Sequence, residues 1–266
     1  MSFCAAGTRA GTFVHMRTTL GDLHLELYDE DKPVTVANFL RYVTNGVFTN
    51  MIFHRAFTNS LEIIQSGFIG GTRTNNDLFL LSTNYGSIPS EFGEGTFYSN
   101  TYGTIAMALA AGNPDSASSS WFFNLKDNSL DLDFQSFTVF GRVVAGTNVL
   151  NQLNPAHPNR AVKIVNAGGA LAELPVRLSA GGNIQYTDLM FVDVKVIRTE
   201  VKLLGTGHRQ ISWGSISNKV NRLEVATNIP PVWTALLTTN GTGGKITYTD
   251  TNNIPTMRLY RIAVDY

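Results

Sequence analysis

Two runs near the start of the chain constrain the fold more than anything else in it. From Asp22 to Tyr28, Leu23, Leu25 and Leu27 alternate with His24, Glu26 and Tyr28, and Phe13 to Thr18 alternates in the same way. A period of two puts the three leucines on one face, as a strand with one buried side requires. Gly21 stands between the runs, so together they read as a hairpin. Its apolar face needs a second layer, which the rest of the chain has to supply.

A helix is the first candidate for that layer. Asp31 reads as its cap, and Pro33 suits its first turn. Val36, Phe39, Leu40 and Val43 recur at helical spacing, and Gly46 stops the run. Met51 to Gly71 reads as two short strands around a loop. Residues 72–102 are rich in Asn, Ser, Thr, Gly and Tyr without periodicity, and so long an irregular stretch in a compact domain is usually functional. Gly103 to Ala108, Trp121 to Leu125 and Phe137 to Val144 read as strands. Ala145 to Leu153 reads as a second helix with Val149, Leu150 and Leu153 on one face. After Ala161 to Val165, Leu189 to Ile197 alternates as the strand that closes a sheet.

The composition shifts near Glu200. Beyond it Gln210 to Trp213, Arg222 to Thr227, Trp233 to Leu237, Lys245 to Thr249 and Arg258 to Val264 read as short strands. Their spacing of about ten residues, with Asn-Gly and Gly-Gly turns, predicts a small β-sandwich. A length of 266 residues with 43% apolar content suits one large domain, 12–199, followed by a small one, 203–266.

Composition also removes several classes of function. The formal net charge is zero and no run of like charge occurs, so nothing draws the chain to nucleic acid or an anionic membrane. No stretch approaches the ~18 apolar residues of a membrane span. Cys4 is the one cysteine, which excludes an intrachain disulfide and a cysteine zinc site; it also raises the thought of a lipid-anchored remnant. His15, His24, His54, His157 and His208 are scattered without metal spacing. There is no phosphate-binding glycine loop, no His-Glu-x-x-His and no Gly-x-Ser-x-Gly. Asp131 and Asp133 read as a solvated turn, not a hydrolytic pair. The first nine residues lack the apolar run of a signal peptide. Charged residues are only 15%, which leads us to expect a periplasmic or secreted protein after signal removal, with a cytoplasmic one as the alternative.

What remains is the order of three segments. Ile52-Phe53-His54-Arg55 is followed, ten residues after Arg55, by Gln65 and then Gly67. Gly103-Thr104-Ile105-Ala106-Met107-Ala108 comes second. Ser119-Ser120-Trp121-Phe122-Phe123-Asn124, Leu132-Asp133 and Phe137-Thr138-Val139-Phe140-Gly141-Arg142-Val143 come third. With Pro33 to Phe39 and Glu91-Phe92, this order resembles the cyclophilin-type peptidyl-prolyl cis-trans isomerases, bacterial members included, over roughly residues 12–199.

The resemblance implies a mainly β fold: a closed eight-stranded antiparallel barrel with two capping helices, carrying a peptide groove on its outer face. It implies isomerase activity on X-Pro bonds of peptides and unfolded proteins, without metal or cofactor, with Arg55 as the catalytic residue. Phe123 would floor the proline pocket, with Ile63 and Leu132 as its walls. Gln65 would orient Arg55 and bond the substrate backbone. The backbone at Ala108 and Leu109 would hold the residue before proline. His54, Leu61, Trp121 and Phe137 complete the expected groove, with Trp121 at its rim. The protein is expected to act as a monomer.

Some positions depart from the family pattern. Two extra residues lie between Arg55 and Gln65, so the customary pocket Phe falls on Leu61 or Glu62. The Gln of Ser-Gln-Phe-Phe falls on Trp121, an Asn on Leu109 and a frequent His on Phe137. These changes bear on substrate preference and on a cyclosporin-type ligand. They also motivate an alternative, a scaffold whose drifted groove binds proline segments without turnover. The C-terminal strands resemble small fibronectin-like modules appended to bacterial extracytoplasmic proteins.

Overall fold

The computed structural model describes residues 11–71, 79–110, 112–197, 199–205, 207–215, 219–229, 231–252 and 257–265. Cys4 lies outside them, and so does any reading of it as an anchor. The chain divides into two compact units, one spanning Thr12–Val196 and the other containing Ile197–Tyr266.

In the first unit the elements in chain order are β1 (Phe13–Thr18), β2 (Gly21–Leu27), α1 (Pro33–Thr44), β3 (Met51–Ile52), β4 (Arg55–Phe57), β5 (Ile63–Ser66), β6 (Ile69–Gly71), β7 (Phe79–Leu81), β8 (Thr104–Met107), β9 (Trp121–Asn124), α2 (Ser129–Leu132), β10 (Val139–Ala145), α3 (Thr147–Leu153), β11 (Val162–Val165), β12 (Leu174–Arg177) and β13 (Phe191–Val196). Eleven of the strands form one sheet in the order β4-β5-β9-β8-β10-β2-β1-β13-β3-β6-β7. The opening hairpin pairs Val14 with Leu25 and Met16 with Leu23, and all four are fully buried.

The run from Met51 to Phe57 changes partners midway. β3 pairs with β13, and Phe53 N–H still donates to Met190 O at 2.9 Å. From His54 on, the chain bonds β5 instead: His54 N–H donates to Gln65 O at 3.0 Å. Two strands far apart in the sheet order are therefore continuous in the chain, and the sheet curls. Inside the curl, Met16, Leu23, Leu25, Ile64, Trp121, Phe123 and Phe140 meet Val36, Phe39, Tyr42 and Val43 of α1 and Val149, Leu150 and Leu153 of α3. Both helices present the faces their spacing predicts.

The cap of α1 is a correction. Lys32 occupies the N-cap position, and the helix N-terminus is satisfied from a distance. The Glu91 carboxylate accepts from Val34 N–H at 2.9 Å and Thr35 N–H at 2.7 Å. Asp31 instead accepts from Tyr98 Oη and Thr96 N–H. The segment around Asp131 also differs from expectation: it forms the one-turn helix α2, with Leu132 buried.

Gly67 sits where no side chain fits. Its φ is +89°, and a Cβ would lie 2.3 Å from Ser119 O. Left-handed backbone alone costs a residue with a Cβ about 1–2 kcal/mol. Gly67→Ala is expected to exceed that cost, measurable as a lower denaturant midpoint at unchanged slope.

The second unit holds β14 (Thr199–Leu203), β15 (Arg209–Gly214), β16 (Val220–Ala226), β17 (Thr234–Asn240), β18 (Lys245–Asp250) and β19 (Leu259–Asp265). They form two three-stranded antiparallel sheets, β14-β15-β18 and β17-β16-β19. Ile211 and Trp213 of one share an apolar cluster with Leu223 of the other. The five predicted strands are present. β14 was not anticipated: Val201 and Leu203 alternate with Glu200 and Lys202, but the stretch falls at the junction read near Glu200, and all five of its residues are exposed.

Candidate functional site

The site is built on the outer faces of β4, β5 and β9. Register sets Arg55 opposite Gln65 and Phe57 opposite Ile63. β5 in turn sets Gln65 opposite Phe122 and Ile64 opposite Phe123. Successive residues of a strand point to opposite faces. Ala56, Ile64, Trp121 and Phe123 therefore go to the core, and Arg55, Phe57, Ile63, Gln65 and Phe122 go outward. There they line a concavity of about 180 Å³ with Leu61, Ala108, Leu109, Leu132 and Phe137.

Eight of the residues singled out from sequence line this one pocket: Arg55, Leu61, Ile63, Gln65, Ala108, Leu109, Leu132 and Phe137. Three do not. Phe123 is fully buried in the core, and Phe122 takes the place in the pocket expected of it. Trp121 is fully buried too, edge-on to Phe39, Phe53 and Phe123, and is not a rim residue. The cause of both errors is one slip of register. The apolar doublet that spans core and groove is Trp121-Phe122, not Phe122-Phe123, so the customary Gln position falls on Ser120.

His54 is the third. It is 3% exposed, outside the pocket lining, with its ring 5.8 Å from that of Phe68. Burial first, and the neighbouring Arg55 charge second, lower its pKa to about 4. The ring is neutral at neutral pH and adds no charge to the groove.

The two extra residues after Arg55 leave the β4–β5 register intact and fall in the loop between those strands. Within it Glu62 turns away: its N–H donates to Asn128 Oδ1 at 3.0 Å, and its carboxylate accepts from Asn154 Nδ2 at 2.8 Å. Leu61, not Glu62, lines the pocket, together with Phe57. A chain of side-chain amides continues from Asn128 through Asn124 to Asn100, whose Nδ2 donates to Asp133 Oδ1 and Phe137 O. It ties the loop carrying Leu61 to the segments carrying Leu132 and Phe137. Buried amides satisfied in this way make a rigid support.

Arg55 has an ionic partner. Its Nε–H donates to Glu173 Oε2 at 2.5 Å, and its guanidinium carbon lies 5.7 Å from the centre of the Phe57 ring. The two charged side chains are 45% and 33% exposed, so the pair is open to solvent and not sealed in the interior. Phe57 was legible two positions after Arg55 on a strand, where it had to share a face. Glu173, 118 residues away in sequence, offered no such signal. Among the described residues, no group of three or more His, Cys, Asp or Glu side chains is arranged to hold a metal ion.

A family model described as cyclophilin type peptidyl-prolyl cis-trans isomerase/CLD matches residues 13–169, more than half of the chain. The chain belongs to this family. A peptidyl-prolyl cis-trans isomerase of Acinetobacter baylyi is 36% identical over 152 residues, which are 56% of this chain and 75% of that protein. Peptidyl-prolyl cis-trans isomerase B of Escherichia coli is 31% identical over 154 residues, 56% of this chain and 87% of its own length. The crystal structure of a cyclophilin type isomerase of Cryptosporidium parvum matches with TM-score 0.48 and 21% identity, covering 70% of this chain and 96% of that one.

Proposed function

We propose that residues 12–199 form an isomerase domain that turns over X-Pro bonds in peptides and unfolded proteins, with Arg55 as the catalytic residue, and that 203–266 form an accessory domain. The observation that carries this is one face holding Arg55 and Gln65 side by side beside an apolar pocket of Phe57, Leu61, Phe122, Leu132 and Phe137. The partner change between Phe53 and His54 also supports reading the curled sheet as a closed eight-stranded barrel, with β3 and β4 counted as one bent strand.

The chemistry needs only these parts. Amide resonance sets a rotation barrier of ~18–20 kcal/mol. In the twisted transition state the prolyl nitrogen regains its lone pair. A guanidinium N–H aimed at that nitrogen stabilises the twisted amide more than the planar one, and only such a difference accelerates the step. Arg stays charged and keeps a rigid donor plane. The pocket holds the pyrrolidine ring, and Gln65 bonds the peptide backbone. No covalent intermediate and no net proton transfer are required.

The wild-type chain is expected to accelerate cis-trans exchange of an Ala-Pro peptide in two-dimensional exchange NMR well above the buffer rate. A rate equal to buffer at peptide concentrations that saturate the groove would sink the enzyme reading. It would leave the second reading, a groove that binds proline segments without turnover, which the two extra residues between Arg55 and Gln65 motivate.

A further inference from the structure

The geometry points to Glu173 as a positioning residue that sets the orientation of the Arg55 guanidinium; this rests on Arg55 acting as proposed above. Glu173 lies beyond the span 13–169 that the family model matches. It comes from the β11–β12 hairpin, immediately before β12. Three contacts make it a rigid support. Its own carbonyl accepts from Ala56 N–H at 2.8 Å, which lays this stretch of chain beside β4, next to Arg55 itself. The following residue, Leu174, is fully buried with Ile52, Val176 and Leu189. Leu174 is also locked opposite Val165 by the hairpin register.

A half-exposed arginine on a three-residue strand would otherwise sample many rotamers, and catalysis needs one. Glu173 takes the Nε–H and Phe57 flanks the guanidinium. The donors on the two terminal nitrogens remain for the substrate, because arginine carries five N–H groups in one plane. Fixing the plane through Nε therefore aims the reactive end without consuming it. Gln65 is paired opposite Arg55 across the other edge of β4.

The test is steady-state kinetics on an Ala-Pro peptide with the full chain carrying Glu173→Ala, Glu173→Gln, Arg55→Ala or Glu173→Ala with Arg55→Ala. Glu173→Ala is expected to lower kcat about tenfold with KM within about twofold, since misplacing a catalytic group by about an ångström costs up to about 100-fold. Glu173→Gln keeps an acceptor for Nε–H and is expected to regain most of that loss. In the Arg55→Ala background, Glu173→Ala is expected to change nothing further. Glu173→Ala as active as wild type, or more active, overturns the inference and makes the carboxylate a bystander or a clamp. A further fall in the double variant also overturns it, because a merely structural role would persist without the arginine. Arg55→Ala at the wild-type rate would instead sink the underlying reading, whatever Glu173 does.

Discussion

Replacing Arg55 with alanine is expected to cut kcat/KM on an Ala-Pro peptide by about 100-fold while leaving the thermal midpoint nearly unchanged. One preorganised donor aimed at developing charge is worth about 10²–10³ in kcat. The loss should therefore fall on kcat and leave KM close to wild type, as for an interaction made only in the transition state. Stability is spared because Arg55 is 45% exposed and belongs to no buried cluster. Removing it leaves Glu173, itself 33% exposed, to water and not to an apolar interior. Open ion pairs of this kind contribute only about 0–1 kcal/mol. Arg55→Lys keeps the charge but not the planar fork, and should recover only part of the rate. Wild-type activity in Arg55→Ala would end the proposed mechanism.

Local pattern was enough to find the hairpin, the apolar faces of α1 and α3, and the five strands beyond Glu200 that contribute to an apolar cluster. Each signal is a period in a short window. The short strands β7 and β12 were not foreseen, and three further misses have particular causes. The cap of α1 comes from Glu91, 56 residues beyond the Thr35 amide it serves, and no window contains both. β14 does alternate, Val201 and Leu203 against Glu200 and Lys202, but it lies at the junction read near Glu200 and none of its residues is buried. The third concerns parity in the site. Trp121, Phe122 and Phe123 are all apolar, so the run gives no internal hint of which side faces the core. Counting from the wrong doublet moved Phe123 into the groove and Trp121 to its rim. The structure resolves this through Gln65: a polar residue paired directly opposite Phe122 fixes which face of β9 is outward. Glu62 and Leu61 were left open for a similar reason, since a loop has no period. The choice between them is made by Asn154 and Asn128, which take Glu62.

The corrected place of Trp121 has a consequence that separates core from groove. Its ring meets Phe39 of α1, Phe48, Phe53 at the bend and Phe123, with centroids 6.2, 6.3, 6.0 and 5.4 Å away, all near edge-to-face. These rings arrive from separate segments, so none can move into a space left by another without disturbing its own packing. Trp121→Ala is therefore expected to cost the upper part of the usual large-to-small range, about 4 kcal/mol. For a unit of this size that is a fall of about 10 °C in the calorimetric midpoint of the first domain's transition. Trp121→Phe should lose much less. It keeps a ring among the four and removes an indole Nε1 that has no hydrogen-bond partner among the described residues. A rim residue would behave in the opposite way, raising KM for an Ala-Pro peptide while leaving the midpoint alone. The ratio of the two effects in one variant decides the register of β9, and with it whether Phe122 or Phe123 touches the proline ring.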